Sequence, residues 1–158
     1  MSYKPNYNRM LSLIDEVFST RNDAEQIQVT PHQMEKLNQI HKNCLTEFAD
    51  ELGPLIWILL IPTTSLVMQD FLTGKITEKG LLENTPIGVP YDVVYLCSAT
   101  TLPEARNQGK TKQLCLSAIE EIRKNNAIEK LVVWPFTKEG EALAKSIANA
   151  SLLELFFK

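Results

Sequence analysis

Apolar residues recur along this chain with two different periods, and the change from one to the other marks out its elements. Met10, Ile14, Val17 and Phe18 share one face of a helix read from about Tyr7 to Phe18, which Thr20 to Asp23 breaks. A second helix opens with Thr30-Pro31-x-Gln33, a capping-box arrangement with proline at the first helical position. It carries Met34, Leu37, His41, Cys44, Leu45 and Phe48 along one stripe, and Gly53-Pro54 stops it. Leu55 to Ile61 is short and continuously apolar, the pattern of a strand covered on both faces, and Pro62 ends it. Thr63, Thr64 and Ser65 offer caps for a helix through about Leu72, and Leu81 and Leu82 anchor a short helical turn after Thr77-Glu78.

After the loop Thr85 to Pro90 the order becomes strand, helix, strand, helix, strand. An apolar strand starts at Tyr91, a helix runs from about Lys112 to Lys124, and Lys130 to Trp134 is a strand closed by Pro135. Thr137 starts a helix carrying Ala142, Leu143, Ile147 and Ala148, and Leu152 to Phe157 reads as a last strand. No repeat or low-complexity linker divides the chain. With 158 residues, 44% of them hydrophobic, it can bury one substantial core. The expectation is one α/β domain over 1–158, with a helix-rich half (1–90) before the half from 91 to 158.

Charge and composition remove several functions from consideration. A net charge of -3 and a pI near 5.4 argue against a nucleic-acid-binding surface. No apolar signal core follows Met1-Ser2-Tyr3-Lys4-Pro5, and Leu55 to Ile61 is far short of the roughly 20 residues of a membrane helix, so a soluble, cytoplasmic protein is expected. Cys44, Cys97 and Cys115 are odd in number and widely spaced, which favours free buried thiols. His41 stands in helical register with Cys44, but no further cluster completes four ligands and no metal is expected; His32 is expected to be exposed. Trp57 and Trp134 fall in or beside strands and read as packing residues.

The candidate chemistry lies where the Tyr91 strand ends in Leu102-Pro103-Glu104-Ala105-Arg106-Asn107-Gln108-Gly109-Lys110 and passes into a helix. A Gly-containing, cationic turn at a helix start aims free backbone N–H groups and the positive end of the helix dipole at one point. Arg106, Lys110 and Lys112 can neutralise a pyrophosphate held there. Gly109-Lys110-Thr111 half meets the P-loop pattern, but that pattern needs glycine where this chain has Glu104. A carboxylate there opposes both the backbone path and the triphosphate charge.

At these residues the chain resembles the GNAT superfamily of acyl-CoA N-acyltransferases. The resemblance rests on the strand end Leu102-Pro103-Glu104, on Arg106-x-x-Gly109-x-Thr111 and on the helix that follows, and extends in element order from Tyr91 to about Ala150. The family's turn is written Arg/Gln-x-x-Gly-x-Gly/Ala; here Thr111 stands where Gly or Ala is usual, and Asn107 where glycine often follows the arginine. The resemblance implies a single-domain mixed sheet flanked by helices, and acetyl-CoA as cosubstrate, held by Arg106, Asn107, Gln108, Gly109, Lys110 and Thr111. Its pantetheine arm would pair with backbone groups at Thr100, Thr101 and Leu102, where the motif strand splays from its neighbour. Thr111 is expected to crowd the pyrophosphate.

It further implies direct acetyl transfer to an amine-bearing small molecule or peptide, and is compatible with a homo-oligomer. The family's proton donor to the thiolate is a tyrosine on the helix after the second strand. This chain has no tyrosine beyond Tyr95, and Ser146 occupies roughly that part of the helix. Strand alternation puts Tyr95 and Cys97 on one face and Leu96 and Ser98 on the other, so Tyr95, Cys97 and Ser146 are the candidate catalytic residues. A core or wall role for Tyr95 and a small-hydrophobe role for Cys97 are the competing readings. The family's antiparallel hairpin before the motif strand is missing from this reading of the first half. Two other functions stay open: an acyl-CoA-binding or sensor domain without turnover, and an interaction module without ligand.

Overall fold

Threonine hydroxyls open four of the helices by accepting the N–H three residues on: Thr30 from Gln33, Thr64 from Val67, Thr77 from Gly80 and Thr137 from Gly140. The structure, a computed structural model, describes residues 4–21 and 30–158, with 17–21 described as backbone alone. Its helices are α1 (Pro5–Arg21), α2 (Pro31–Ile40), α3 (Ser65–Leu72), α4 (Glu78–Asn84), α5 (Lys110–Arg123) and α6 (Lys138–Ser151). The strands are β1 (Leu45–Asp50), β2 (Gly53–Thr63), β3 (Val93–Thr101), β4 (Lys130–Val133) and β5 (Glu154–Phe157). They form one sheet in sequence order, antiparallel from β1 to β3 and parallel from β3 to β5, so both halves of the chain share it. The α/β class is the one the periodicity predicts, and the chain folds as a mixed sheet flanked by helices. Parallel crossovers are right-handed almost without exception, which sets α5 and α6 side by side on one face, in contact with each other.

Three expectations from the first half are overturned. The second helix ends at Ile40, and Leu45 and Phe48, assigned to its stripe, lie instead in β1. The spacing of His41, Cys44, Leu45 and Phe48 fits a helical stripe. The residues leave the helix because β1 pairs with β2 from Leu45↔Leu59 to Asp50↔Gly53, with the Trp57 Nε1–H donating to Glu47 across the pair at 2.7 Å. An exposed edge strand shows no alternation to betray it. The antiparallel hairpin thought absent is therefore present, immediately before the motif strand in the sheet. Pro62 also fails to end its strand, since Pro62 pairs with Val94 and Thr63 with Val93. The Leu60 N–H donates toward β1, to Cys44 at 2.8 Å, so the position of Pro62's missing N–H faces the same way. There β1 has already ended, and the proline costs no ladder bond.

α1 starts against the β1–β2 turn. The Asn6 N–H donates to Leu52 at 3.0 Å, and Tyr7 meets Trp57 edge-on at 5.4 Å between ring centroids. Gly53 has φ 115°, and a Cβ there would come within 3.2 Å of Lys4 and 3.3 Å of Asn6, so only glycine lets the helix start sit this close. The break read at Thr20 to Asp23 falls partly outside the described residues, as α1 continues to Arg21. Ile56, Ile58, Leu60, Val93, Tyr95, Leu131, Val132, Ile119 and Ile147 are fully buried, which places the core on both faces of the sheet. No helix among the described residues is long and apolar enough to cross a membrane.

Candidate functional site

β3 outruns its parallel neighbour. Pairing with β4 stops at Leu96↔Val133, while pairing with β2 continues to Ile56↔Thr101. From Cys97 onward β3 therefore has a strand on one side and an opening on the other. Ser98 lies opposite Leu59 and Leu96 opposite Leu60, so Cys97 is the extra residue of a bulge, and simple alternation along Tyr95 to Ser98 breaks there.

The alternation of backbone groups decides which residues face the opening. The Leu102 N–H donates to Leu55 of β2 at 2.9 Å, which turns Thr100 to the β2 side as well and leaves Ala99 and Thr101 facing the gap. Of Thr100, Thr101 and Leu102, the three residues expected to pair with a ligand, only Thr101 is so placed, and its carbonyl accepts from Arg106 Nε at 3.0 Å. Ala99 escapes a sequence reading because nothing in composition marks it; the register of β2 against β3 would have.

The turn itself is built from two left-handed residues. Pro103–Ala105 form a single 3₁₀ turn, after which Asn107 has φ 61° and Gly109 φ 72°. Asparagine tolerates this region better than other residues with a Cβ, so Asn107 meets the conformational demand that glycine meets elsewhere. Gly109 is the N-cap of α5 and no side chain caps the helix, so its first N–H groups face outward. Gln108 folds back, its Nε2 donating to the Glu104 carbonyl at 2.9 Å. Thr111 turns toward the strand: its hydroxyl bonds that of Thr101 at 2.8 Å and ties the helix start to the strand end. Lys110 Nζ lies 5.0 Å from the centre of the Phe48 ring on β1, and Arg106, Asn107, Gln108, Gly109 and Lys110 are all exposed.

Glu104, the one carboxylate in this turn, has a partner from far away in sequence. Arg9 of α1 grips it with both terminal nitrogens, Nη1 to Oε2 at 2.6 Å and Nη2 to Oε1 at 2.8 Å, and Nη1 also donates to Asn6 Oδ1 at 2.9 Å. The hydrogen bonds from Arg9 hold the Glu104 carboxyl well below its usual range, at about 2. A depressed carboxylate contributes stability above its unfolded pKa and loses it as pH falls through the folded one. The expected result is that the parent loses urea stability between about pH 4.5 and pH 2 relative to Glu104→Gln. Parallel pH profiles for the two proteins would show that the pair does not form.

The three candidate catalytic residues lie on two elements, Tyr95 and Cys97 on β3 and Ser146 on α6. Tyr95 is fully buried and its hydroxyl donates to Glu78, itself buried at the start of α4, with the Phe71 ring 5.1 Å away. Cys97 and Ser146 are both half-buried, the first at the bulge and the second on α6. Burial pushes the Cys44 and Cys115 thiols up to about 12, so neither is a nucleophile near neutrality. His41 ends α2, its Nδ1 accepting from the Asn43 N–H at 3.0 Å, and its pKa is lowered first by burial and then by Lys42. Among the described residues no three His, Cys, Asp or Glu side chains gather as a metal site would require.

No known family, curated protein or solved structure matches this chain.

Proposed function

We propose that this chain is an acyl-CoA-dependent N-acyltransferase that moves an acetyl group from acetyl-CoA to an amine-bearing small molecule or peptide in the cytoplasm. The observation that carries this reading is the opening of β3 beyond Leu96 beside an uncapped, cationic helix start. An extended, amide-bearing ligand arm can add to the edge of β3 at Ala99, and at Thr101 by replacing Arg106 on its carbonyl, while its phosphates meet the N–H groups of α5. The antiparallel hairpin β1–β2 ahead of β3 adds the element that the resemblance implies before the motif strand.

The chemistry follows from these parts. A neutral amine nitrogen attacks the thioester carbonyl, the C–N bond forms as the C–S bond breaks, and the leaving thiolate takes a proton. Binding both reactants in one cleft supplies the orientation, and the amine deprotonates before attack. Tyr95 takes no part in this account, because its hydroxyl is enclosed in the core on Glu78. Water or the Ser146 hydroxyl is left as proton source, and transfer is accordingly slow and faster at higher pH. The same placement of Tyr95 favours a second reading, a domain that binds acyl-CoA without turning it over.

Calorimetric titration with acetyl-CoA, CoA, ATP and NAD tests both. Acetyl-CoA is expected to bind and to raise the melting temperature, by about 2.7 kcal/mol of stabilisation at one hundred times Kd, with ATP and NAD inert. Binding followed by turnover of an amine panel supports the enzyme, and binding alone supports the second reading. No shift at millimolar acetyl-CoA overturns both.

A further inference from the structure

The cationic turn carries its own opponent. Arg106, Lys110 and Lys112 draw an anion to the start of α5, while Glu104 places a negative charge two residues before Arg106. The geometry points to Arg9 as the positioning residue that makes the turn anion-competent, by neutralising Glu104 and holding the strand–turn junction against α1. This rests on the anion-binding reading of the turn and adds a residue that lies outside the stretch resembling the acyltransferase family.

Three observations support it. The grip is bidentate, at 2.6 and 2.8 Å, so it fixes the direction of the carboxylate as well as its charge. The guanidinium is itself braced by Asn6, a buried residue whose backbone N–H is tied to Leu52 in the β1–β2 turn. And Gln108 holds the Glu104 backbone carbonyl from the other side of the turn, so Glu104 is fixed at side chain and main chain together. With Arg9 in place, Glu104 no longer cancels one of the turn's three cations. Without it, the carboxylate is released a few residues from the ligand's phosphates and repels them.

The test is a double-mutant cycle on the full chain, titrated with CoA and with inorganic pyrophosphate at low and at 0.5 M salt. Arg9→Gln is expected to weaken both ligands roughly fivefold, the effect of one uncompensated charge nearby in a largely solvated setting. Glu104→Gln is expected to bind at least as tightly as the parent, and Arg9→Gln/Glu104→Gln to recover parental affinity. High salt should shrink the loss in Arg9→Gln, a response that a purely structural defect would not show. If the double variant stays as weak as Arg9→Gln, Arg9 acts by structure or direct contact and the inference is wrong. Equal affinity in all four proteins also overturns it while leaving the anion site intact. A parent that binds neither ligand removes the anion reading and this inference with it.

Discussion

Gly109→Val is expected to weaken acetyl-CoA binding by about a hundredfold or more while leaving a folded protein. Two effects separate cleanly at this position. Apart from its two chain neighbours, a Cβ on Gly109 meets no atom within 4 Å, so at the N-cap of α5 the side chain enters open space and not the protein. That space is where phosphate oxygens would approach the helix N–H groups, and hydrogen bonds to a charged group are worth about 1.5–3 kcal/mol each, so blocking two gives the stated loss. The backbone cost is smaller: a branched residue at φ 72° carries about 1–2 kcal/mol of strain, which lowers the melting temperature by a few degrees. Thr111→Ala serves as the control, since it removes the bond to Thr101 without intruding on the same space. Calorimetry and thermal unfolding on the three proteins decide the matter. Parental affinity in Gly109→Val would place the ligand elsewhere.

Phe71→Ala is expected to produce the largest loss of stability, about 3–5 kcal/mol out of a total of about 5–15 kcal/mol. Phe71 is fully buried on α3, with Tyr95 of β3 at 5.1 Å, Trp134 after β4 at 6.1 Å and the Lys158 ammonium at 4.8 Å from its ring. Lys158 also donates to the Phe71 carbonyl at 2.8 Å, so the ring joins α3 to the end of β5 as well as to the middle of the sheet. Truncation removes the transfer energy of the ring, leaves a cavity and strips one face from the Lys158 cation–π contact. Urea unfolding followed by far-UV circular dichroism measures the effect. A midpoint that moves by less than the equivalent of about 1 kcal/mol would mean that α3 does not pack on the sheet through this residue.

Much of the chain, the second half above all, is legible from local rules. Thr137 and Thr64 cap the helices they were expected to cap, the continuously apolar runs at Leu55 and Leu131 are strands, and the strand–turn–helix from β3 to α5 stands where its punctuation puts it. These features are local: a hydroxyl reaching three residues ahead, a glycine at φ 72°, an apolar stripe of one period. The first half misled because β1 is an edge strand whose outward residues, Leu45 and Phe48, imitate a helical stripe. Only its partner β2 marks it as a strand.

The candidate site divides the same way. Sequence alone determines that a cationic, glycine-bearing turn links a strand to a helix, that no tyrosine follows Tyr95, and that the chain carries a net charge of -3. Tertiary structure decides the rest, because each remaining fact is a relation between residues distant in the chain. The opening at Ala99 and Thr101 exists because β4 is four residues long and β3 nine. The burial of Tyr95 against Glu78 depends on α4 packing on the sheet, and the neutralisation of Glu104 depends on a guanidinium 95 residues away. Periodicity records which face of an element is apolar; it carries no record of which element meets that face, and the site is made of those meetings.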